Sequence, residues 1–391
     1  MLPRPCLSFT LPSIYDNTRL DCRVYHPPCL RDPSHADAPW PRHAAVVAHP
    51  YAPLGGCFDD PVVDVVAGTL LQVGFLVATF NFRGAASSES RTSWTSRAEQ
   101  ADYMSVVGFL AYYVHHLDAV RPPPRPRNRH QPPTLLLAGY SYGAMITTRL
   151  PPLDAILAYF ATPAVHTAEA DIRLRAQHLA EAREAHLADP ASPRRSLGVR
   201  VGGDEGGGPR RSRDAHHQRH ESQREDRIRE SVRHLLARAR LVYGRSPHWS
   251  GAGEPEDRMD QCLEGVEGGV AFQAAYLAVS PPVGLVTRLA TLSLADALLP
   301  SWLGRPRPDE SGAAPADDSL LSSNPTLVIY GDQDGFISYR KMRQWTQQLA
   351  GRGASRFRYV QVAGAGHFWA EGDVIYRLRD AVGTFATEVT R

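Results

Sequence analysis

The stretch that decides the fold is TLLLAGYSYGAMITTRL, residues 134–150. Leu135 to Ala138 form the continuous apolar run of a strand covered on both faces, and AMITTRL leads away at helical spacing. Between them, Gly139-Tyr140-Ser141-Tyr142-Gly143 fits the pattern G-x-S-x-G, in which two glycines remove side chains where strand and helix would collide. The serine is left exposed on a tight turn. The pentapeptide alone is weak, and its placement between a buried strand and a helix is what makes Ser141 a candidate nucleophile.

A serine hydroxyl attacks poorly until a base takes its proton, and that base must be held by a third group. Both are found downstream. TLVIY (326–330) ends in Gly331-Asp332-Gln333-Asp334-Gly335, and RFRYVQV (356–362) ends in Ala363-Gly364-Ala365-Gly366-His367-Phe368-Trp369. His367, after a loop of small residues, is the expected base. Asp334 is the expected acid and Asp332 the alternative, because one of two neighbouring carboxylates can instead brace the turn. An oxyanion needs backbone N–H donors, one of them from Tyr142, the residue after the nucleophile. The other is expected in AHPYAPLGG (48–56). Pro50 has no N–H, so Tyr51 is the expected donor and Ala52 the alternative. His49 reads as a residue that orders this loop, and Cys57 as a small packed residue.

Outward from this turn, apolar strands and amphipathic helices alternate, the pattern of a parallel α/β sheet. AAVVA (44–48) and FLVATFNF (75–82) are buried strands. DPVVDVVAGTLLQV (60–73) is a helix with an Asp N-cap and a proline in its first turn, and 97–118 is another. LSFTLPSI and RLDCRVYHP flank a polar turn as a hairpin over 7–27. The rhythm resumes late with FQAAYLAVSPP, PTLVIYGDQD and RFRYVQVAGAGH, separated by helical stretches at Val283–Leu299, Ser338–Ala350 and Asp373–Glu388. LDAILAYFA (153–161) reads either as a strand or as part of a lid, and 274–280 is preferred as the strand that follows residue 150.

Through HPYAPLGG, NFRG, GYSYGA, SPPVG, GDQDGF and GAGHFW the chain resembles the α/β-hydrolase superfamily of serine hydrolases, in particular its dienelactone-hydrolase-like branch. The resemblance covers 44–150 and 272–388. It implies an α/β-hydrolase fold: a mostly parallel central sheet, helices on both faces, and here a long, partly disordered insertion or cap. The expected divisions are a strand hairpin and lead-in at 1–43, the first half of the core at 44–150, the insertion at 151–270, and the second half at 271–391. The resemblance also implies the chain order Ser141, Asp334, His367 for a catalytic triad. It fails at two places. The insertion is much longer than a simple cap, and the loop after Arg83-Gly84 reads AASSES, so no substrate role is carried over to that turn.

Composition narrows the partners. The 391 residues are 43% hydrophobic and 21% charged with a formal net charge of +2, which suits a large core and argues against a chain built to coat nucleic acid. All basic residues but Lys341 are arginine, so the arginine-rich, aliphatic-poor segment 190–226 reads as a disordered linker. It is flanked by helical pieces at 169–188 and 224–241. His216, His217, His220 and Glu221 inside it lack the cysteines and ordered surroundings of a zinc site, and no metal is expected. No G-x-x-x-x-G-K-[ST] loop occurs, and cofactor-free catalysis is expected. Five cysteines without C-x-x-C spacing, a proline-broken N-terminus and no long apolar run point to a cytoplasmic protein without a membrane span.

The expected activity is hydrolysis of a small-molecule ester, thioester or amide through an acyl-enzyme. A serine peptidase is one alternative. A catalytically weak or inactive scaffold, binding a protein partner through residues 160–270, is the other. The apolar segments LDAILAYFATP and VGLVTRLATLSLADALLPSWLG suggest a lid suited to an apolar acyl or ester group.

Overall fold

The computed structural model describes residues 1–31, 40–93, 95–119, 132–188, 199–200, 262–282, 318–352 and 356–391. The strands are β1 (Leu7–Pro12), β2 (Arg19–Tyr25), β3 (Ala44–Ala48), β4 (Leu76–Phe80), β5 (Thr134–Tyr140), β6 (Val199–Arg200), β7 (Gln273–Val279), β8 (Thr326–Gly331) and β9 (Phe357–Val362). The helices are α1 (Pro28–Arg31), α2 (Pro61–Val73), α3 (Arg97–Ala119), α4 (Tyr142–Thr147), α5 (Leu153–Ala161), α6 (Ala168–Ala188), α7 (Asp318–Ser323), α8 (Tyr339–Gly351) and α9 (Val374–Glu388).

β3, β4 and β5 are buried along their whole length, which is why their sequences are apolar without alternation. They lie at the centre of one sheet of order β6-β1-β2-β4-β3-β5-β7-β8-β9. β2 runs antiparallel to β1 and β4, and every other pairing is parallel. Within β3, Ala44, Val46 and Ala48 point into one core and Ala45 and Val47 into the other. Helices α3, α4, α5, α6 and α8 cover the first face, and α2 and α9 the second. This is the α/β-hydrolase fold expected from the sequence.

Two details set the stage for the site. Asp60 caps α2, its carboxylate accepting from the N–H groups of Val62 and Val63, and Gly74 closes the helix at φ 110°. This sharp stop returns the chain directly into β4. In the sheet register, Ala48 lies opposite Gly139, Tyr140 opposite Val279, and Gly331 opposite Val362. The C-terminal ends of β3, β5, β7, β8 and β9 therefore open at one edge. β3 is followed in space by β4 on one side and β5 on the other, the point in an open α/β sheet where a crevice forms.

Residues 153–161, which read as either strand or lid, form helix α5. Its apolar face is not left for a substrate: Leu153, Ile156, Leu157 and Phe160 are buried in the core. The Phe160 ring fills the space beside Gly108 of α3, where an added Cβ would come within 2.2 Å of it. The expected helices at 224–241 and Val283–Leu299 and the apolar segment through Gly304 lie outside the described residues. So does the segment expected to be disordered, 190–226, apart from Val199 and Arg200. Among the described residues no helix is long and apolar enough to cross a membrane.

Candidate active site

Ser141 stands between the end of β5 and the start of α4 with φ 53° and ψ −116°. A residue with a side chain rarely adopts this conformation, and it persists only where the surroundings enforce it. Here the Ser141 N–H donates to the Val279 carbonyl at 2.8 Å, and its own carbonyl accepts from Met145 N–H at 3.0 Å. The flanking glycines complete the constraint. A Cβ on Gly139 would lie 2.4 Å from the Gly143 carbonyl, and one on Gly143 would lie 2.6 Å from the carbonyl oxygens of Ala48 and His49. The turn is thus pressed against the loop that leaves β3.

The structure brings Ser141, His367 and Asp334 together from three strand ends. Ser141 Oγ is 2.8 Å from His367 Nε2, and His367 Nδ1 is 2.7 Å from Asp334 Oδ2. A carboxylate only accepts, so Nδ1 carries the proton, and in neutral imidazole the Ser141 hydroxyl donates to Nε2. Both His367 and Asp334 are buried. The other Asp334 oxygen, Oδ1, accepts from the N–H groups of Phe336 and Ile337 at 2.9 and 3.1 Å. Those two bonds leave the carboxylate little freedom to turn away from the imidazole. Asp332 is elsewhere, accepting from Gly364 N–H at 2.8 Å and so bracing the loop that carries His367.

That loop has further supports which the sequence does not reveal. The Tyr140 hydroxyl donates to the His367 carbonyl at 2.8 Å across 227 positions. Glu371 accepts from Gly366 N–H at 3.0 Å. Tyr140 fills a variable position of the G-x-S-x-G pattern and Glu371 lies outside every motif, and a long-range bond from a strand-end tyrosine leaves no periodic signature.

The two residues expected to supply the oxyanion donors have neighbouring side chains. Tyr142 is the first residue of α4, so its N–H is among the helix-start donors without an intrahelical acceptor. The Tyr51 ring lies 5.1 Å from the Tyr142 ring. The Tyr51 carbonyl accepts from Leu54 and Gly56 N–H at 3.1 and 3.2 Å, closing a short turn at Ala52–Leu54. Below it sits His49. Its Nε2 accepts from Phe82 N–H at 2.8 Å, so Nδ1 is the protonated nitrogen and donates to the Pro50 carbonyl at 2.6 Å. Burial lowers the His49 pKa to about 4, since a charged imidazole has no water there. This neutral ring ties the loop after β3 to the loop after β4. Cys57 is half-buried with a free thiol.

Arg83, in the turn to which no substrate role is carried over, is turned inward. Its guanidinium meets Asp102 at 2.7 Å and Asp16 at 2.9 Å, and its side chain is almost wholly covered. A concavity of about 650 Å³ between α2 and α9, lined in part by Gln72, Arg379 and Glu388, is not part of this site. It sits at the opposite end of the strands, where Thr134 at the start of β5 donates to the Val389 carbonyl. Among the described residues no cluster of His, Cys, Asp and Glu is arranged to hold a metal. His216, His217, His220 and Glu221 lie outside them.

Comparison with known proteins gives the family. The alpha/beta hydrolase fold family matches residues 54–371. No curated protein matches the chain. Among solved structures, an alpha-beta serine hydrolase homologue from Coxiella burnetii is 14% identical with a TM-score of 0.44, over 96% of this chain and 95% of that one. XC6422 from Xanthomonas campestris, described as an a/b serine hydrolase without lid, is 16% identical with a TM-score of 0.44, over 97% of this chain and 93% of its own. Est1E from Butyrivibrio proteoclasticus is 12% identical with a TM-score of 0.45, over 98% of both chains. Likenesses at this level carry nothing about substrate. The family match spans most of the sequence, including Ser141, Asp334 and His367, and the chain belongs to the α/β hydrolase fold family.

Proposed function

We propose that the chain is a serine hydrolase that cleaves a carboxylic ester, or a thioester or amide, of a small molecule through an acyl-enzyme on Ser141. The observation that carries this reading is the unbroken relay from Ser141 Oγ to His367 Nε2 at 2.8 Å and from His367 Nδ1 to Asp334 at 2.7 Å. In the first half-reaction Oγ forms a bond to the carbonyl carbon while its proton passes to Nε2. The carbonyl oxygen becomes negative between the N–H groups of Tyr142 and Tyr51. When the tetrahedral state collapses, the bond to the leaving atom breaks and Nε2 returns the proton to that atom. Water then repeats the sequence: its proton goes to Nε2, its oxygen joins the acyl carbon, and Ser141 leaves with the proton. Asp334 keeps the imidazole in the required tautomer throughout and stabilises its charged form.

Rapid mixing with a p-nitrophenyl ester tests the acyl-enzyme directly. The expected result is a burst approaching one p-nitrophenol per chain followed by slower turnover, both absent in Ser141→Ala. A wild-type rate unchanged by Ser141→Ala would overturn the proposal.

A further inference from the structure

Two large aromatic rings stand out of the surface beside the relay. Phe336 is 46% exposed and Phe368 65% exposed, although aromatic side chains ordinarily contribute large apolar areas to cores. They are not scattered singly. The Phe336 ring lies 4.9 Å from the His367 imidazole, the Phe368 ring 5.7 Å from it, and the two phenyl rings meet edge to face at 5.5 Å. Phe336 is also fixed at its backbone, its N–H donating to Asp334 Oδ1 at 2.9 Å. The pair forms an apolar rim on the imidazole, held in register with the acid and the base.

Which half of a substrate meets this rim follows from the chemistry of the site. His367 has to hand its proton to the leaving atom, so that atom must come within hydrogen-bond reach of Nε2. The carbonyl oxygen is directed instead to the oxyanion donors proposed at Tyr51 and Tyr142. Groups packed on the imidazole therefore border the leaving group and not the acyl chain. We infer that Phe336 and Phe368 bind the leaving-group half of the substrate and select an apolar, preferably aromatic, alcohol over a small or polar one. Aromatic rings favour offset or edge-to-face neighbours, which a planar leaving group supplies and a methyl or ethyl group does not.

The inference rests on the serine-hydrolase reading, and its test separates the two. Hydrolysis of benzyl acetate and ethyl acetate compares leaving groups on one acyl chain, and ethyl acetate with ethyl butyrate compares acyl chains on one leaving group. In wild type the kcat/KM ratio of benzyl to ethyl acetate is expected to be about tenfold or more, collapsing towards one in the double variant Phe336→Ala/Phe368→Ala. The butyrate-to-acetate ratio should stay the same. Phe336→Leu/Phe368→Leu, which keeps apolar volume without the rings, should recover part of the benzyl preference.

A binding arm needs no turnover: 2-naphthyl acetate is titrated by NMR into Ser141→Ala with and without the two phenylalanines. Binding that depends on them supports the inference even if the wild-type protein hydrolyses no ester, an outcome that would sink the hydrolytic reading alone. A leaving-group preference unaltered in the double variant, or a change confined to the acyl series, overturns the inference.

Discussion

At the scale of single residues, two carboxylates two positions apart have different partners. Asp334 faces His367 Nδ1 at 2.7 Å, while Asp332 accepts from Gly364 N–H at 2.8 Å. Their chemistry is identical and their partners are not. Asp334→Asn preserves the shape of the site but can present an N–H to Nδ1, favouring the tautomer in which Nε2 carries the proton and cannot accept from Ser141. A fall in kcat of about 10³- to 10⁴-fold is expected. Asp332→Asn keeps an oxygen for Gly364, and its kcat should stay within about tenfold of wild type, since the relay itself is untouched. Steady-state kinetics of the two variants decides the matter, and an inactive Asp332→Asn beside an active Asp334→Asn would reverse the assignment. The sequence narrows the acid to this pair because both follow an apolar strand. It favours Asp334 and leaves Asp332 as the alternative, because which carboxylate points at the histidine depends on a turn whose bonds to Phe336 and Ile337 have no sequence signature.

Among the elements, the junction between the ends of β3 and β4 carries an acid-sensitive link. His49 links them by accepting from Phe82 N–H and donating to the Pro50 carbonyl. Its pKa is about 4 in the folded protein against an ordinary 6.5. Between those values the unfolded chain takes up a proton that the folded chain does not. Stability from this residue is therefore fully present above about pH 6.5 and is lost as pH falls towards about 4, by at most roughly 3 kcal/mol. His116 is shifted in the same direction by burial, so comparison with a variant is needed to isolate His49. Urea-unfolding midpoints at pH 7 and pH 4.5 should fall further for wild type than for His49→Gln, and equal losses in both would contradict the role assigned to this ring. Elsewhere the elements are readable where burial is complete, as in β3, β4 and β5. They are ambiguous where a short apolar run fits either period, as in α5. There the choice falls to a tertiary contact, the Phe160 ring beside Gly108, which no local pattern shows.

For the molecule as a whole, the parallel sheet turns distant pieces of sequence into one site. Ser141 follows β5, Asp334 follows β8 and His367 follows β9, and the pairing β5-β7-β8-β9 lines up the ends of these strands at one edge. The order of the motifs along the chain was readable because each sits immediately after a buried strand. The supports that bind the loops to one another, such as Tyr140 to the His367 carbonyl and Glu371 to Gly366, were not, because they depend on how the strand ends meet.

This assembly is proposed to make one serine a nucleophile. That nucleophile is tested most directly by treating the purified protein with a fluorophosphonate and mapping the adduct by peptide mass spectrometry. One adduct per chain is expected, on Ser141, with labelling slowed strongly in His367→Ala. A folded protein that takes up no label, or takes it up on another residue, would contradict it.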